Sequence, residues 1–176
     1  MADFLTGFCQ NGSPSDTILA DPLFGICDDP TPPGAIPTPA YINTDLTKKA
    51  TWIARVNNSA GYEVTFKAVD HCILVLKANG QLQKRCDGIL LYNAHIVFVE
   101  LKEQKDPGRK WASEGAEQVK QTIKDYQAAH STEGLTVRAY VANRIQPNAQ
   151  QSHFSIIQNF RKTLRIALRI EGAIDL

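Results

Sequence analysis

At 176 residues, 43% apolar and 21% charged, the chain is long enough for one ordinary globular domain with its own core. Its four cysteines (Cys9, Cys27, Cys72, Cys86) lie far apart, with no C-x-x-C pair and no histidine at zinc-finger spacing, a pattern that suggests neither a structural zinc site nor a disulfide framework and predicts reduced thiols. The formal net charge of +1 hides an uneven distribution, because residues 1–43 hold five acids and no lysine or arginine; the basic remainder would suit a polyanionic partner.

The first residues, "MADFLTGFCQ", place no basic segment ahead of an apolar stretch, and no window approaches membrane-span length. The expectation is a cytoplasmic protein with no membrane partner. Seven of the nine prolines fall in the first 39 residues, and "DDPTPPGAIPTP" cannot hold a helix or a central strand, because proline lacks the amide donor and restricts the residue before it. Residues 1–43 are therefore expected to be an acidic, proline-rich arm, with enough apolar side chains (Phe4, Phe8, Leu23, Phe24) to dock on the body. Residues 44–176 are expected to be a single α/β domain.

After the arm, Thr44 can cap a helix over 45–58 in which Leu46, Ala50 and Ile53 share a face. "YEVTFKAVD" alternates Val64, Phe66 and Ala68 with polar residues, which predicts an edge strand. Asn79-Gly80 is a pair favoured where both central turn residues need positive φ, so 72–78 and 81–92 are expected to form a hairpin. The next turn, at Asn93-Ala94 or over the four residues Tyr92 to His95, leads into "IVFVELK". An even-length loop there sets Leu91 opposite Ile96, Ile89 opposite Phe98, and Asp87 opposite Glu100.

Two acids facing each other across a strand pair repel, since the Cβ atoms of opposed residues are only about 4.5–5.5 Å apart. A hard divalent cation would relieve the repulsion, as Mg²⁺ is commonly held by one or two carboxylates plus water and phosphate oxygens. Lys102 shares the face of Glu100, where its ammonium would be available to a phosphate or a water. A D/E-x-K triplet arises about once by chance in a chain of this length, and Glu103-Gln104-Lys105 is a second one. What singles out Glu100-Leu101-Lys102 is its place at the end of an apolar strand, opposite another acid.

These residues, Asp87 followed by Glu100-Leu101-Lys102 on the adjacent strand and then a helix and a further strand, resemble the PD-(D/E)XK nuclease superfamily over roughly 45–145. The resemblance implies a restriction-endonuclease-like fold: a three-layer α/β/α sandwich around a mixed sheet, with an antiparallel meander, a helix and a parallel strand. It also implies a nuclease dependent on Mg²⁺ or Mn²⁺. Asp87, Glu100 and the Leu101 carbonyl would hold the metal, Lys102 would assist the attacking water, and nucleic acid, DNA first, would be the partner. Cys86 stands where the family often has proline. For the frequent acid of the first helix, Asp45 and Glu63 are the alternatives. Cutting both strands of a duplex would favour a homodimer.

Further along, Ser113 can cap a helix whose stripe is Ala112, Ala116, Val119, Ile123 and Tyr126. Gln118 lies on its flank, and branches of the superfamily carry a glutamine at a similar position near the site. "LTVRAYVAN" is then expected as a strand parallel to "IVFVELK", by the right-handed crossover rule. In the tail, Ile156, Phe160, Leu164 and Leu168 share one helical face and Arg161, Arg165 and Arg169 a neighbouring one, as in a packed basic helix, with a helix that tracks a phosphate backbone as the alternative. Of the four histidines only His71 is placed near the acids. No P-loop, G-x-G-x-x-G or G-x-S-x-G motif occurs. The alternative to a nuclease is a catalytically silent module of the same fold that binds nucleic acid or a protein.

Overall fold

The computed structural model describes residues 4, 7–104, 110–147 and 153–176. Its strands are β1 (Asp16–Leu19), β2 (Leu23–Cys27), β3 (Tyr41–Asn43), β4 (Ala54–Asn57), β5 (Val64–Ala68), β6 (Gly88–Tyr92), β7 (His95–Lys102), β8 (Thr136–Asn143), β9 (Ala167–Arg169) and β10 (Ala173–Asp175). Its α-helices are α1 (Lys110–Ala129) and α2 (Phe154–Leu164).

The larger sheet runs β1-β5-β6-β7-β8-β9. It is antiparallel from β1 to β7 and parallel from β7 to β9. The expected meander, crossover helix and parallel strand are therefore present. Alternation along β7 sends Ile96 and Phe98 to one core and Val97 and Val99 to the other, so this strand is buried on both faces. All five residues of the α1 stripe are buried, and they cover the first face together with Phe160 of α2.

The other face departs from the expected α/β/α sandwich. There the covering layer is a second sheet, ordered β10-β4-β2-β3, whose Phe24, Ile26, Ala54, Val56 and Ile174 share a core with Phe66, Leu90, Val97 and Val99. Two of these strands come from the segment expected to be an arm. Residues 1–43 supply β1, β2 and β3, and Phe4, Phe24 and Ile26 are fully buried, so 43/44 is not a boundary in the fold. Proline did confine itself to connections: Pro22 lies between β1 and β2, and Pro30, Pro32, Pro33, Pro37 and Pro39 lie between β2 and β3. The apolar run "LFGIC" is left free to pair. Gly25 in that run lets Trp52 lie against the backbone, since a Cβ there would fall 2.0 Å from the indole Cγ.

Other expectations change for similar reasons. The helix expected over 45–58 is a 3₁₀ helix, Leu46–Thr51, followed by β4; Leu46 is exposed while Ala54 and Val56 are buried, a period of two rather than a helical face. β5 is not an edge strand, because β1 pairs with it and Asp16 takes the buried Lys67 ammonium. The Asn79-Gly80 turn forms, with the Lys77 amide donating to the Gln81 carbonyl at 2.8 Å. Only one bridge, Leu76 to Leu82, follows it, and β6 pairs with β5 instead. Ser113 lies inside α1 and bonds the Lys110 carbonyl. The tail helix stops at Arg165, which is left-handed at φ 59°, and Arg169 sits on β9 beside Glu171, so the three arginines form no helical stripe. Finally, Cys9 and Cys72 are joined in a disulfide rather than reduced, and Cys27 and Cys86 are free and buried.

Because β1 and β2 are integral to the two sheets, a chain beginning at Tyr41 is expected to lose cooperative thermal unfolding, followed by circular dichroism. A cooperative transition within a few degrees of the full chain would restore the detachable arm.

Candidate active site

The turn between β6 and β7 sets the geometry. Asn93 and Ala94 both have positive φ, 34° and 59°, and the pairs Tyr92–His95, Leu91–Ile96, Ile89–Phe98 and Gly88–Val99 follow. Asp87 immediately precedes this ladder and falls beside the end of β7. Its Oδ2 accepts the Leu101 amide at 2.6 Å, so a side chain takes the place of the next strand residue. Leu101 thus meets Asp87 through its N–H.

Glu100 is 1% exposed. Its Oε1 lies 2.6 Å from Lys102 Nζ, and its Oε2 is buried with no partner among the described residues. Lys102 also donates to Gln118 Oε1 at 3.1 Å, and Gln118 Nε2 donates to the Arg85 carbonyl at 3.1 Å. Gln118 therefore ties α1 to both the β7 lysine and the loop before Asp87. The close approach of α1 requires Gly115, where a Cβ would lie 2.8 Å from Val141 Cγ1 and 3.3 Å from Glu100 Cγ.

The charges do not balance. Burial pushes the Asp87 carboxyl up to about 7, against the Leu101 amide, which lowers it; Asp28 and Asp70 raise it further and Lys102 opposes them. Glu100 is raised well above the ordinary carboxyl range by burial and then by Asp87, with Lys102 only partly compensating. Burial alone would lower the Lys102 ammonium, but the Glu100 carboxylate outweighs it and holds the proton on. Two acids thus share one cation in a low-dielectric pocket, which leaves room for further positive charge.

Asp87, Glu100, Lys102 and Gln118 are brought together as expected. The alternatives for a third acid are not. Asp45 caps the 3₁₀ helix by accepting the Thr47 amide and is exposed. Glu63 is exposed just before β5, whose other end, Ala68, is the one beside Gly88. Two half-buried acids that sequence reasoning missed lie nearer. Asp70 follows β5 by two residues, accepts Arg85 Nη2 at 2.7 Å and lies 3.2 Å from His71 Nε2. Asp28 follows β2; burial raises its carboxyl, His71 lowers it and Asp70 raises it. Strand register could have found Asp70, but Asp28 arrives only through the packing of the second sheet. Among the described residues no three His, Cys, Asp or Glu side chains converge closely enough to hold a metal on their own. The unpartnered Glu100 oxygen and the two raised carboxyls nevertheless fit a hard cation completed by water.

The raised carboxyl gives a pH dependence of defined sign. Between about pH 4 and pH 7, Asp87 is protonated in the folded protein and ionised in the unfolded chain, so stability falls as pH rises through that window. Without divalent ions, Asp87→Asn is expected to flatten the profile and, at pH 8, to be about 1–3 kcal/mol more stable than the parent. Denaturant unfolding in EDTA checks this. A parent profile that rises from pH 4 to 7, with a destabilised variant at pH 8, would make Asp87 a structural acceptor only.

No protein-family model matches this chain, and neither a curated protein nor a solved structure matches it.

Proposed function

We propose that the protein is a metal-dependent nuclease with a restriction-endonuclease-like core. The observation that carries this is the buried, unpartnered Oε2 of Glu100, a carboxylate beside Asp87 whose other oxygen meets Lys102. The order β5-β6-β7-β8, with α1 between β7 and β8 in the chain, supports the fold. The 3₁₀ turn in place of the first helix and the sheet in place of the second helical layer are departures from it.

Asp87 and Glu100 would hold Mg²⁺ or Mn²⁺, with Asp70 and Asp28 contributing negative potential. A bound cation supplies Lewis acidity and lowers the pKa of water. Lys102, with its proton held on by Glu100, donates from Nζ to a phosphate oxygen or a water and does not act as a base. Gln118 fixes the direction of that donor. Nucleic acid, DNA first, is the substrate class, and a homodimer would serve duplex cutting. A silent binding module is the second reading, favoured by one observation: Lys102 already pairs with Glu100, as in a site closed on itself. No helix among the described residues is long and apolar enough to cross a membrane. The Cys9–Cys72 disulfide is more usual outside a reducing cytosol, and it weighs against the cytoplasmic expectation.

Mg²⁺ or Mn²⁺ is expected to raise the parent's melting temperature, with about 2.7 kcal/mol of stabilisation at an ion concentration a hundredfold over Kd, and to permit cleavage of labelled DNA or RNA. Asp87→Asn and Glu100→Gln should lose both responses. Lys102→Ala should keep the thermal shift and lose about 10²–10⁴-fold in rate. A parent that neither responds to metal nor cleaves any nucleic acid would leave the binding module.

A further inference from the structure

A second concavity, of about 410 Å³, opens between the 3₁₀ helix, β4 and the segments after β8 and before β10; Lys49, Trp52, Arg55, Arg144, Glu171 and Gly172 line it. That volume suits a nucleotide-sized ligand. Arg55 projects from β4 between the buried Ala54 and Val56. Lys49 and Arg55 are both exposed, and neither has a carboxylate partner among the described residues. Arg144 pairs with Glu103 and donates to the Ala50 carbonyl, and Glu171 is occupied by Arg169 at 3.1 Å. The lining is therefore net positive. At its floor Trp52 is 4% exposed, and its indole N–H has no acceptor among the described residues, a deficit that buried donors rarely show.

This cleft adjoins the acidic site. Lys102 pairs with Asn143, and the Arg144 amide donates to the Lys102 carbonyl at 3.3 Å. Glu100 and Lys102 face α1, whereas Arg55 projects away from the core that Ala54 and Val56 share with the larger sheet, so the cleft lies on the outer face of the second sheet and Arg144 connects it to the sheet end. A nucleic-acid strand passing over the ends of β7 and β8 would meet both. Guanidinium and ammonium groups around a concave floor match the geometry and charge of a phosphate.

We propose that the cleft lined by Lys49, Arg55 and Arg144 binds a phosphate group of the same nucleic-acid strand that is cut at the acidic site, further along that strand. The preference for an anion comes from the cleft alone; the choice of nucleic acid rests on the nuclease reading.

The test uses the full chain in EDTA, so that cleavage plays no part. Single-stranded oligonucleotides of one sequence, carrying a 5′ phosphate, a 3′ phosphate or neither, are titrated by fluorescence anisotropy over a salt series. Lys49→Ala/Arg55→Ala is expected to weaken binding about 10–100-fold at low salt and to lower the slope of log K against log salt by about 1–2. If the gain from one terminal phosphate disappears in the variant, the cleft takes a strand end. If all three oligonucleotides weaken alike, it takes an internal phosphodiester. Unchanged affinity and slope in this variant, or in Lys49→Gln/Arg55→Gln should the first unfold at a lower temperature, would overturn the proposal. Absence of binding by the parent at low salt would overturn it too. A separate thermal melt of the parent with Mg²⁺ or Mn²⁺ distinguishes the two ideas: oligonucleotide binding that depends on Lys49 and Arg55, with no thermal response to metal, would count against the nuclease alone.

Discussion

Asn93 and Ala94 reverse the chain in two residues, both with positive φ, and that tight turn leaves β6 and β7 one way to pair. A slip of one residue would move Ile96, Phe98 and Glu100 to the opposite face and break both cores at once. Burial on two sides therefore enforces the register, and the register brings Asp87 to the Leu101 amide and Glu100 under α1. The acidic site is a by-product of the same packing that makes β7 the central strand.

Once Glu100 is buried, its surroundings must answer its charge. Lys102 does so from one side, and Gln118 holds Lys102 in place by bonding the Arg85 carbonyl with its other end. Gly115 admits α1 close enough for this, at the cost of a weak point in the helix. The remaining imbalance appears as raised carboxyls and an unpartnered oxygen. A merely structural pair at a sheet edge would be exposed and screened, whereas Glu100 is neither.

The second sheet contributes to function as well as to stability. It carries Asp28 towards Asp70 and Asp87, and with the 3₁₀ helix it frames the basic cleft at the far side of the sheet end. The Cys9–Cys72 bond, with the Gln10 amide on the His71 carbonyl at 2.8 Å, ties the N-terminal residues to the loop that bears Asp70 and His71. Residues that resemble a linker in composition thereby brace one wall of the site.

Elements whose signals are local were legible in the residues alone. The reversal between Leu91 and Ile96, the apolar run of β7, the α1 stripe and the parallel β8 are each set by turn chemistry, periodicity or chain handedness, and from them Asp87, Glu100 and Lys102 fall together, whereas Gln118 is placed beside them by the family resemblance. The rest depends on contacts between distant segments. "LFGIC" and "ARVN" are short and ambiguous until they pair with each other across a gap filled by prolines and a 3₁₀ turn. The tail arginines follow a helical spacing that a left-handed residue at Arg165 interrupts so that β9 can join β8. Asp28, Asp70 and the Cys9–Cys72 pair are joined to their partners by contacts that span tens of residues. Such proximity has no local pattern, because it is set by which apolar faces bury one another.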